Sequence, residues 1–213
     1  PGLTLINGCM AASGSLVKWF RNELAASTML AELDQEAASV APGADGIIVL
    51  PYFLGEKTPI FDPSARGVFA GVMLHHTRAH LYRAVLEAVC YGFQHHLSIL
   101  EAAGRPIRRV CAADGGSRSG LWMQIAADIV NRPIEIVGGE AASALGVAFV
   151  AAMGAGLFRQ WDEIERFITH GAIYQPRPAA VARYQRGFAL YRDLYTRLQP
   201  FLPELGLLSE IGV

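Results

Sequence analysis

Residues 110–119 read Val-Cys-Ala-Ala-Asp-Gly-Gly-Ser-Arg-Ser, and this stretch decides how the fold is interpreted. A β-type run at Arg109–Ala113 leads into the turn at residues 114–116, and an apolar helical stretch follows at about Leu121–Val130. Two glycines after a strand permit backbone geometry that a side chain would block, and the unpaired N–H groups that open the next helix suit an anion. The stretch is therefore chemically suited to a phosphate-binding turn. A plain turn is the commoner meaning of Gly-Gly after a strand, and neither GxxxxGK[ST] nor GxGxxG is present.

Two more glycine turns follow the same strand-to-helix plan. Residues 137–140, Val-Gly-Gly-Glu, lead from a predicted strand into an alanine-rich helix, and residues 7–14 lead into a helix that carries Lys18 one turn inside. In open α/β sheets ligands bind beyond the carboxyl ends of the strands. The sequence therefore predicts that the turns at residues 114–116 and 137–140 line one edge of a sheet, and the turn at residues 7–14 is a third candidate. Lys18 is interpreted either as a phosphate contact or as a solvated surface lysine.

The rest of the chain alternates strands and helices in the same way, which is typical of an α/β domain whose strands are covered by helices. We predict one domain without a linker over residues 1–213. The predicted strands are Leu3–Ile6, Gly46–Leu50, Gly67–Val72, Arg109–Ala113 and Ile134–Val137. The predicted helices are Ser15–Ala25 with Ser13 as N-cap, Thr28–Ser39, a long central helix from its cap Thr77 to Ala103, Leu121–Val130, Ala141–Phe158, Trp161–Ile168 and Ala179–Gln199. Tyr52–Arg66 is predicted to be a proline-containing loop, and loops of that length usually carry function.

The composition restricts the partners of this chain. Of its 213 residues, 52% are hydrophobic and 17% are charged, and the formal net charge is −1. The apolar content supplies a core and excludes extended disorder, while the low charge gives no broad field that would attract nucleic acid or an anionic membrane. The uncharged stretch Ala141–Phe158 is interpreted as a buried helix rather than as a membrane span.

The cysteines and the amino terminus indicate the compartment. Cys9, Cys90 and Cys111 form no CxxC pair, which favours a reducing cytoplasm over a disulfide framework or a zinc site. No secretory signal is predicted at the amino terminus, so a cytoplasmic protein is expected. The chain starts at Pro1 without an initiator methionine and carries little charge, and we therefore expect it to be a piece of a longer chain.

Two further groups have a structural interpretation beside a functional one. His76 and His80, with His95 and His96 further along, lack a carboxylate or cysteine placed to complete a tetrahedral site, so no metal site is predicted. Arginines and aromatic residues interleave over residues 177–197 as on a nucleic-acid surface. The aromatic spacing of four, three and four instead predicts one helical face that packs inward, so nucleic acid is not an expected partner.

The carboxylates of the proline loop are a third such group. Glu56 and Asp62 flank the loop and are candidates for a catalytic acid and base. Turn formation and ion pairing with Lys57 or Arg66 explain the same residues as simply. Both interpretations stay open at the level of sequence.

Several segments, taken in order, resemble the carboxyl-terminal half of the FGGY carbohydrate kinases, most closely their xylulokinase branch. The most specific match is the second family signature, which residues 67–72 and 80–87 fit with seven residues between them. The other matching segments are residues 55–59 (Gly-Glu-Lys-Thr-Pro), 62–67 (Asp-Pro-Ser-Ala-Arg-Gly), 114–124 with 127–129, and the Glu-x-x-x-Ala-Leu-Gly-x-Ala element at 140–148. The resemblance covers most of the chain.

The resemblance implies the actin-like, ribonuclease-H-like ATPase fold, with a mixed sheet covered by helices and two domains that close around ATP and a sugar. This chain would be the second, nucleotide-binding domain. By motif position, Gly115 and Gly116 would approach the ATP phosphates through backbone N–H groups, and Gly14 with Lys18 would flank the phosphates. Glycerol kinases commonly carry a glutamine where Lys18 stands.

Three more positions take their roles from the resemblance. Ser117 and Ser119 would border the adenosine. Asp114 replaces the first glycine of the usual xylulokinase triplet, a trait of glycerol kinases that leaves the sugar open.

The activity implied by the resemblance is ATP-dependent and Mg²⁺-dependent phosphorylation of a sugar hydroxyl, on a ketopentose such as xylulose. Kinases of glycerol, ribulose, gluconate or erythritol are alternatives. So is a non-catalytic module that uses its apolar faces for partner binding or for self-association, for example as a homodimer. The general-base aspartate, the first phosphate loop and most sugar contacts are expected in an amino-terminal domain upstream of Pro1. No catalytic residue is therefore assigned to this chain, which is expected to bind nucleotide weakly and to phosphorylate nothing alone.

Overall fold

The computed structural model describes residues 5–138 and 142–208. The helices are α1 (Gly14–Glu23), α2 (Leu30–Ala38), α3 (Arg78–Ala102), α4 (Gly120–Val130), α5 (Ala142–Gly154), α6 (Pro178–Leu198) and α7 (Leu202–Leu207). The strands are β1 (Ile48–Leu50), β2 (Val68–Ala70), β3 (Val110–Ala112), β4 (Ile134–Val137) and β5 (His170–Tyr174). Short 3₁₀ helices lie at Ala44–Gly46, Gly115–Arg118 and Trp161–Phe167.

Most predicted elements are confirmed, with ends that differ by a few residues. The strand predicted at Leu3–Ile6 is the exception: Leu5 and Ile6 have no strand geometry, and the two residues before them lie outside the described residues. The helix predicted near Trp161–Ile168 is a 3₁₀ helix. β5 and α7 were not predicted.

Two small sheets organise the strands. β1 and β2 pair antiparallel, with Ile48 opposite Ala70. In the second sheet β3 pairs parallel with β4, and β4 pairs antiparallel with β5, so this sheet is mixed, as predicted. α4 packs against β4 and β5 and also against α3, which itself contacts β1. The glycine turn at residues 114–116 follows the carboxyl end of β3.

α3 is the central helix of the fold, as predicted, and residues 82–92 are buried along its whole circumference. Its small residues Ala84 and Ala88 pack in a cluster with Val49 of β1 and with Ala44 and Ile47, which precede that strand. Gly92 faces Met10, whose side chain would lie 2.4 Å from a Cβ added at that glycine. The four-residue spacing of small side chains therefore marks the side on which other segments approach the helix.

A buried ion pair ties α3 to three other segments. Arg83 Nε donates to Glu87 Oε1 at 2.8 Å, and the two side chains are 3% and 2% exposed. Glu87 Oε1 also accepts from Gly43 N at 2.9 Å and from the Tyr184 hydroxyl at 2.8 Å. Arg83 donates in addition to Ala37 O at 3.1 Å and to the Tyr184 hydroxyl at 2.8 Å. The hydrogen bonds offset the cost of removing both charges from water.

The aromatic face of α6 packs inward, which confirms the interpretation of the interleaved arginines and aromatics. Tyr184 and Tyr191 are each 1% exposed. The Tyr191 hydroxyl lies 2.8 Å from that of Tyr52, and the Tyr191 ring lies 5.5 Å from that of Tyr91. Arg192 and Arg197 stand on the solvent side of the same helix.

The prediction that the alanine-rich helix α5 is buried is wrong: Val147 and Val150 are 72% and 57% exposed, and aromatic residues cover only one side of the helix. Phe149 is buried and stacks on Phe158 with ring centroids 4.9 Å apart, and Trp161 lies 6.3 Å away. In the part of the chain that the structure describes, no helix combines the length and the apolar character that crossing a bilayer requires.

Candidate functional site

An open cleft of about 780 Å³ lies where two of the predicted glycine turns meet. One wall is the turn that starts α1, at Ser13 and Gly14, and the opposite wall is the turn after β3, at residues 114–117. Apolar side chains form the floor, namely Phe93, Leu97 and Leu100 of α3, Val110 and Ala112 of β3, Trp122, Met123, Ala126 and Val130 of α4, and Ile134 of β4. This volume is in the range of sites for nucleotide-sized ligands, about 300–1,000 Å³.

The first turn ends an irregular segment and starts α1. Ser13 is the N-cap, as predicted, and its carbonyl accepts from Leu16 N at 3.0 Å and from Val17 N at 3.3 Å. Gly14 follows, where an added Cβ would meet no atom within 4 Å and φ lies outside the left-handed region. Neither packing nor backbone geometry therefore requires glycine at position 14 in the protein alone.

The second turn is held by its own backbone. Asp114 adopts φ 63° and ψ −154°, a backbone conformation that residues other than glycine rarely adopt. The Asp114 carbonyl accepts from Ser117 N at 3.2 Å and from Ser117 Oγ at 2.7 Å. A Cβ on Gly115 would meet nothing within 4 Å, and one on Gly116 would only touch the Trp122 ring at 3.4 Å. Packing therefore does not require glycine at either position, and both residues expose backbone to the cleft.

The structure brings five of the seven predicted site residues to one cavity, namely Gly14, Asp114, Gly115, Gly116 and Ser117. Lys18 is exposed on α1 and Ser119 is half-buried, and neither is among the residues that line the cleft. Ser119 has a structural role, because it is the N-cap of α4 and its Oγ accepts from Trp122 N at 3.0 Å.

The third predicted turn is only partly described. Gly138 has φ +80° and donates its N–H to Thr169 O at 2.8 Å, whereas Gly139 and Glu140 lie outside the described residues. At the start of the following helix, Ser143 Oγ donates to Asp114 Oδ2 at 2.9 Å. This contact brings the helix after the third turn to the second turn, in agreement with the predicted row of turns at one sheet edge.

The carboxylates of the proline loop bind backbone amides. Glu56 is 5% exposed, and its Oε1 accepts from Ala11 N and from Lys57 N, each at 2.7 Å. Burial raises the pKa of the Glu56 carboxyl, and the two amides act in the opposite direction. Asp62 accepts from Ser64 N at 2.9 Å and from the Tyr195 hydroxyl at 2.9 Å. The contacts with Lys57 N and Ser64 N fit turn formation, whereas those with Ala11 N and the Tyr195 hydroxyl join distant segments. These partners differ from the ion pairs predicted with Lys57 and Arg66.

Among the described residues, Asp45, His75 and His76 approach the spacing of a metal site. The sequence analysis missed this group because Asp45 is distant in the chain from the two histidines. Asp45 Oδ2 lies 3.0 Å from His75 Nε2 and 3.5 Å from His76 Nε2. His76 Nδ1 accepts from Met73 N at 2.9 Å, so in the neutral ring the proton is on Nε2, the nitrogen that faces Asp45. A ligating histidine instead donates its second ring N–H and offers the first nitrogen's lone pair to the metal. His75 is hydrogen-bonded to Asp45, whereas His76 Nε2 is buried and has no hydrogen-bond partner among the described residues, and its proton-bearing nitrogen does not fit a metal ligand.

The conformation of Asp114 leads to a stability prediction. We expect Asp114→Gly to be more stable than Asp114→Ala by about 1–2 kcal/mol, because alanine keeps the backbone strain and glycine removes it. Both variants lose the contact with Ser143, so their comparison isolates the strain. In ordinary backbone the order is reversed, since glycine costs about 0.5–1 kcal/mol relative to alanine. Urea unfolding of the pair measures the difference, and an alanine variant as stable as the glycine variant would contradict the strain.

The comparisons with known proteins agree with this geometry. Residues 1–155 match the family described as FGGY family of carbohydrate kinases, C-terminal domain. The chain is 32% identical over 190 residues to the xylulose kinase of Bacillus subtilis (strain 168), which covers 89% of this chain and 38% of that protein. Among solved structures it is similar to the xylulose kinase from Rhodospirillum rubrum, with a TM-score of 0.82 and 43% identity over 92% of this chain and 40% of that one.

A second solved structure extends the likeness to another substrate class. The gluconate kinase from Lactobacillus acidophilus aligns with a TM-score of 0.79 and 27% identity, over 94% of this chain and 40% of that one. The chain thus spans about 40% of the length of these relatives. Kinases of this kind have the actin-like ATPase fold, so the predicted fold class and the resemblance read from the motifs are both confirmed.

Proposed function

The chain belongs to the FGGY family of carbohydrate kinases, as that family's C-terminal domain, and from this premise we propose that it binds the nucleotide of an ATP-dependent sugar kinase. The observation that carries the proposal is the single cleft shared by two glycine turns. Each turn places a helix start or a 3₁₀ turn at the cleft, where N–H groups favour an anion. The domain assigned to this role is the whole of residues 1–213.

Each predicted site residue has a role in the proposal. Gly14 flanks the phosphates, and Gly115 and Gly116 offer backbone N–H groups to them at close range. Ser117 borders the adenosine, for which the apolar floor of the cleft supplies a dry surface. Lys18 has a flexible stem and its ammonium reaches the phosphates only from outside the cleft. Ser119 contributes by fixing the start of α4 and not by contact.

The donor set at the cleft fits a magnesium–nucleotide complex. Mg²⁺ prefers hard oxygen ligands and is commonly held by one or two carboxylates together with phosphate oxygens. Asp114 is the carboxylate that lines this cleft, beside the glycines proposed for the phosphates. When bound, the ion would neutralise charge on the phosphate oxygens. The protein's own contribution is to hold the turn that carries Asp114.

For the whole kinase we propose phosphoryl transfer to a sugar hydroxyl, on a ketopentose such as xylulose. The xylulose kinases named above support this choice. The likeness to a gluconate kinase keeps gluconate as an alternative, together with ribulose, glycerol and erythritol. The carboxylate that accepts the hydroxyl proton and most sugar contacts are assigned to an amino-terminal domain, as the partner that closes over the cleft. This chain alone is therefore not expected to phosphorylate xylulose.

Calorimetry with MgATP and this chain tests the proposal, together with amide hydrogen exchange. We expect weak binding that protects the amides of residues 14–17 and 114–117. A titration without heat, combined with unprotected amides at both turns, would contradict nucleotide binding and favour a module that only binds other proteins.

A further inference from the structure

We propose that Glu56 and Thr58 are positioning residues of the nucleotide site, because they hold the lead segment, residues 7–13, that ends in the Ser13-Gly14 turn. The inference rests on the proposed function, since the turn matters for binding only if a nucleotide occupies the cleft. The contacts that support it lie within the protein, so they can be tested separately from nucleotide binding.

The lead segment forms no helix or strand. Two of its backbone N–H groups donate hydrogen bonds to side chains of the proline loop. Cys9 N donates to Thr58 Oγ1 at 2.6 Å, and the same oxygen lies 3.1 Å from Cys9 O. Two residues further, Ala11 N donates to Glu56 Oε1 at 2.7 Å. Side-chain oxygens two residues apart thus bind amides two residues apart, as carbonyls of a neighbouring strand would do.

Both oxygens have further hydrogen-bond partners outside the lead segment. Glu56 is almost fully buried, and its Oε1 also accepts from Lys57 N at 2.7 Å. Thr58 Oγ1 lies 2.8 Å from His96 Nε2, and His96 Nδ1 lies 2.8 Å from Gly92 O. The carbonyl of Gly92 accepts a hydrogen bond from the Nδ1–H group, so Nε2 of the neutral ring accepts a hydrogen bond from the Thr58 hydroxyl. The hydroxyl oxygen is then left to accept from Cys9 N.

The anchored residues lie next to the site that they would position. The cleft is lined by the proposed phosphate turn and also by the anchoring region, namely Asn7, Gly8, Met10, Thr58, Pro59 and His96. Only two residues separate Ala11 from Gly14, so the anchor on Ala11 limits where α1 can start. At its other end the proline loop is tied to α6 through Asp62 and Tyr195. The position of the turn is therefore fixed, through the proline loop, by contacts with two long helices, α3 and α6. Such support suits a site whose geometry must be precise to about 1 Å.

The decisive variant is Thr58→Val, which keeps the shape of the side chain and removes the oxygen. We expect amide exchange at Cys9 and Ala11, the two amides that the anchoring side chains bind, to become at least about tenfold faster and the affinity for MgATP to fall about tenfold or more. Thr58→Ser retains the oxygen and should behave like the wild type. Thr196→Val makes the same change at Thr196, whose hydroxyl donates to Arg192 O at 3.0 Å on the exposed side of α6, and should alter neither readout.

A second pair of variants covers the case in which Thr58→Val does not fold. Glu56→Met removes the acceptor of Ala11 N and should accelerate exchange there, whereas the amide oxygen of Glu56→Gln can accept from both backbone amides and should preserve it. Unchanged exchange in Thr58→Val or Glu56→Met would overturn the inference. Faster exchange with unchanged affinity, in a protein whose wild type binds MgATP, would also overturn it. If the wild type binds no MgATP, the proposed function fails, and exchange at residues 9–14 still decides whether these side chains hold the segment.

Discussion

Replacing Glu87 by alanine is expected to lower the free energy of unfolding by about 3–5 kcal/mol, because it leaves the Arg83 guanidinium buried without its carboxylate. The side chains of this pair are 3% and 2% exposed, so water cannot take over the lost contacts. The change also removes the acceptor of Gly43 N and of the Tyr184 hydroxyl, which connect the pair to the turn after α2 and to α6. Urea unfolding followed by circular dichroism measures the loss.

The same pair should show strong coupling in a double-mutant cycle. Arg83→Met with Glu87→Leu leaves no lone buried charge, so the double variant should lose less stability than the sum of the two single losses, by about 0.5–3 kcal/mol. A matched control is Arg197→Ala, which breaks an exposed pair with Asp193 on α6 and should leave stability unchanged. If the loss of unfolding free energy in the double variant equals the sum of the two single losses, Arg83 and Glu87 do not stabilise each other.

The buried pair also illustrates what sequence can and cannot predict in this chain. Its spacing of four residues on a nearly apolar helix indicated a polar stripe, and the central place of that helix was predicted correctly. The residues that complete the network, Gly43 and Tyr184, are 44 and 97 positions from Glu87. A local pattern contains no information about such partners, because only the tertiary fold brings them together.

The same limit applies to the strands. Short apolar strands bounded by glycine and proline were recognised, since apolar runs and turn residues are local signals. β5 was missed because His170–Tyr174 is mostly exposed and shows no alternation, so its strand conformation depends on pairing with β4. Ser119 is different: a serine just before an apolar helical run is an N-cap signature. That signal was available and predicts the contact with Trp122 N that the structure shows.

For the site, the sequence located the turns, and the structure supplied their convergence. A glycine turn after a strand does not by itself indicate a ligand site, because a plain turn requires glycine more often than a ligand does. The structure separates these meanings at Gly14 and Gly115, where a Cβ would meet nothing within 4 Å and φ is not left-handed. Gly55 is the contrasting case, with φ +65° and a Cβ that would lie 2.7 Å from Pro63 O. Glycine at position 55 is explained by the fold, and glycine at position 115 is not.

Gly115→Ala is therefore expected to affect binding and stability in opposite directions. The added methyl group has open space in the protein alone, and alanine restricts the unfolded chain, so stability should be unchanged or higher by about 0.4–1 kcal/mol. A nucleotide phosphate that approaches the backbone would meet that methyl group. We expect the affinity for MgATP to fall at least about tenfold, which corresponds to about 1.4 kcal/mol or more. Gly116→Ala should act in the same way, with an ordinary contact to Trp122 added.

The matched control is Gly154→Ala at the end of α5. A Cβ there would also meet nothing within 4 Å, and Gly154 does not line the cleft, so stability can rise while affinity stays that of the wild type. Calorimetry with MgATP and urea unfolding on all three variants separate the two effects. Wild-type affinity in Gly115→Ala and Gly116→Ala would contradict the close approach of phosphate to this turn. Loss of affinity without loss of stability, confined to the cleft glycines, has a direct physical explanation, because these glycines are then required only by a ligand that occupies the space beside them.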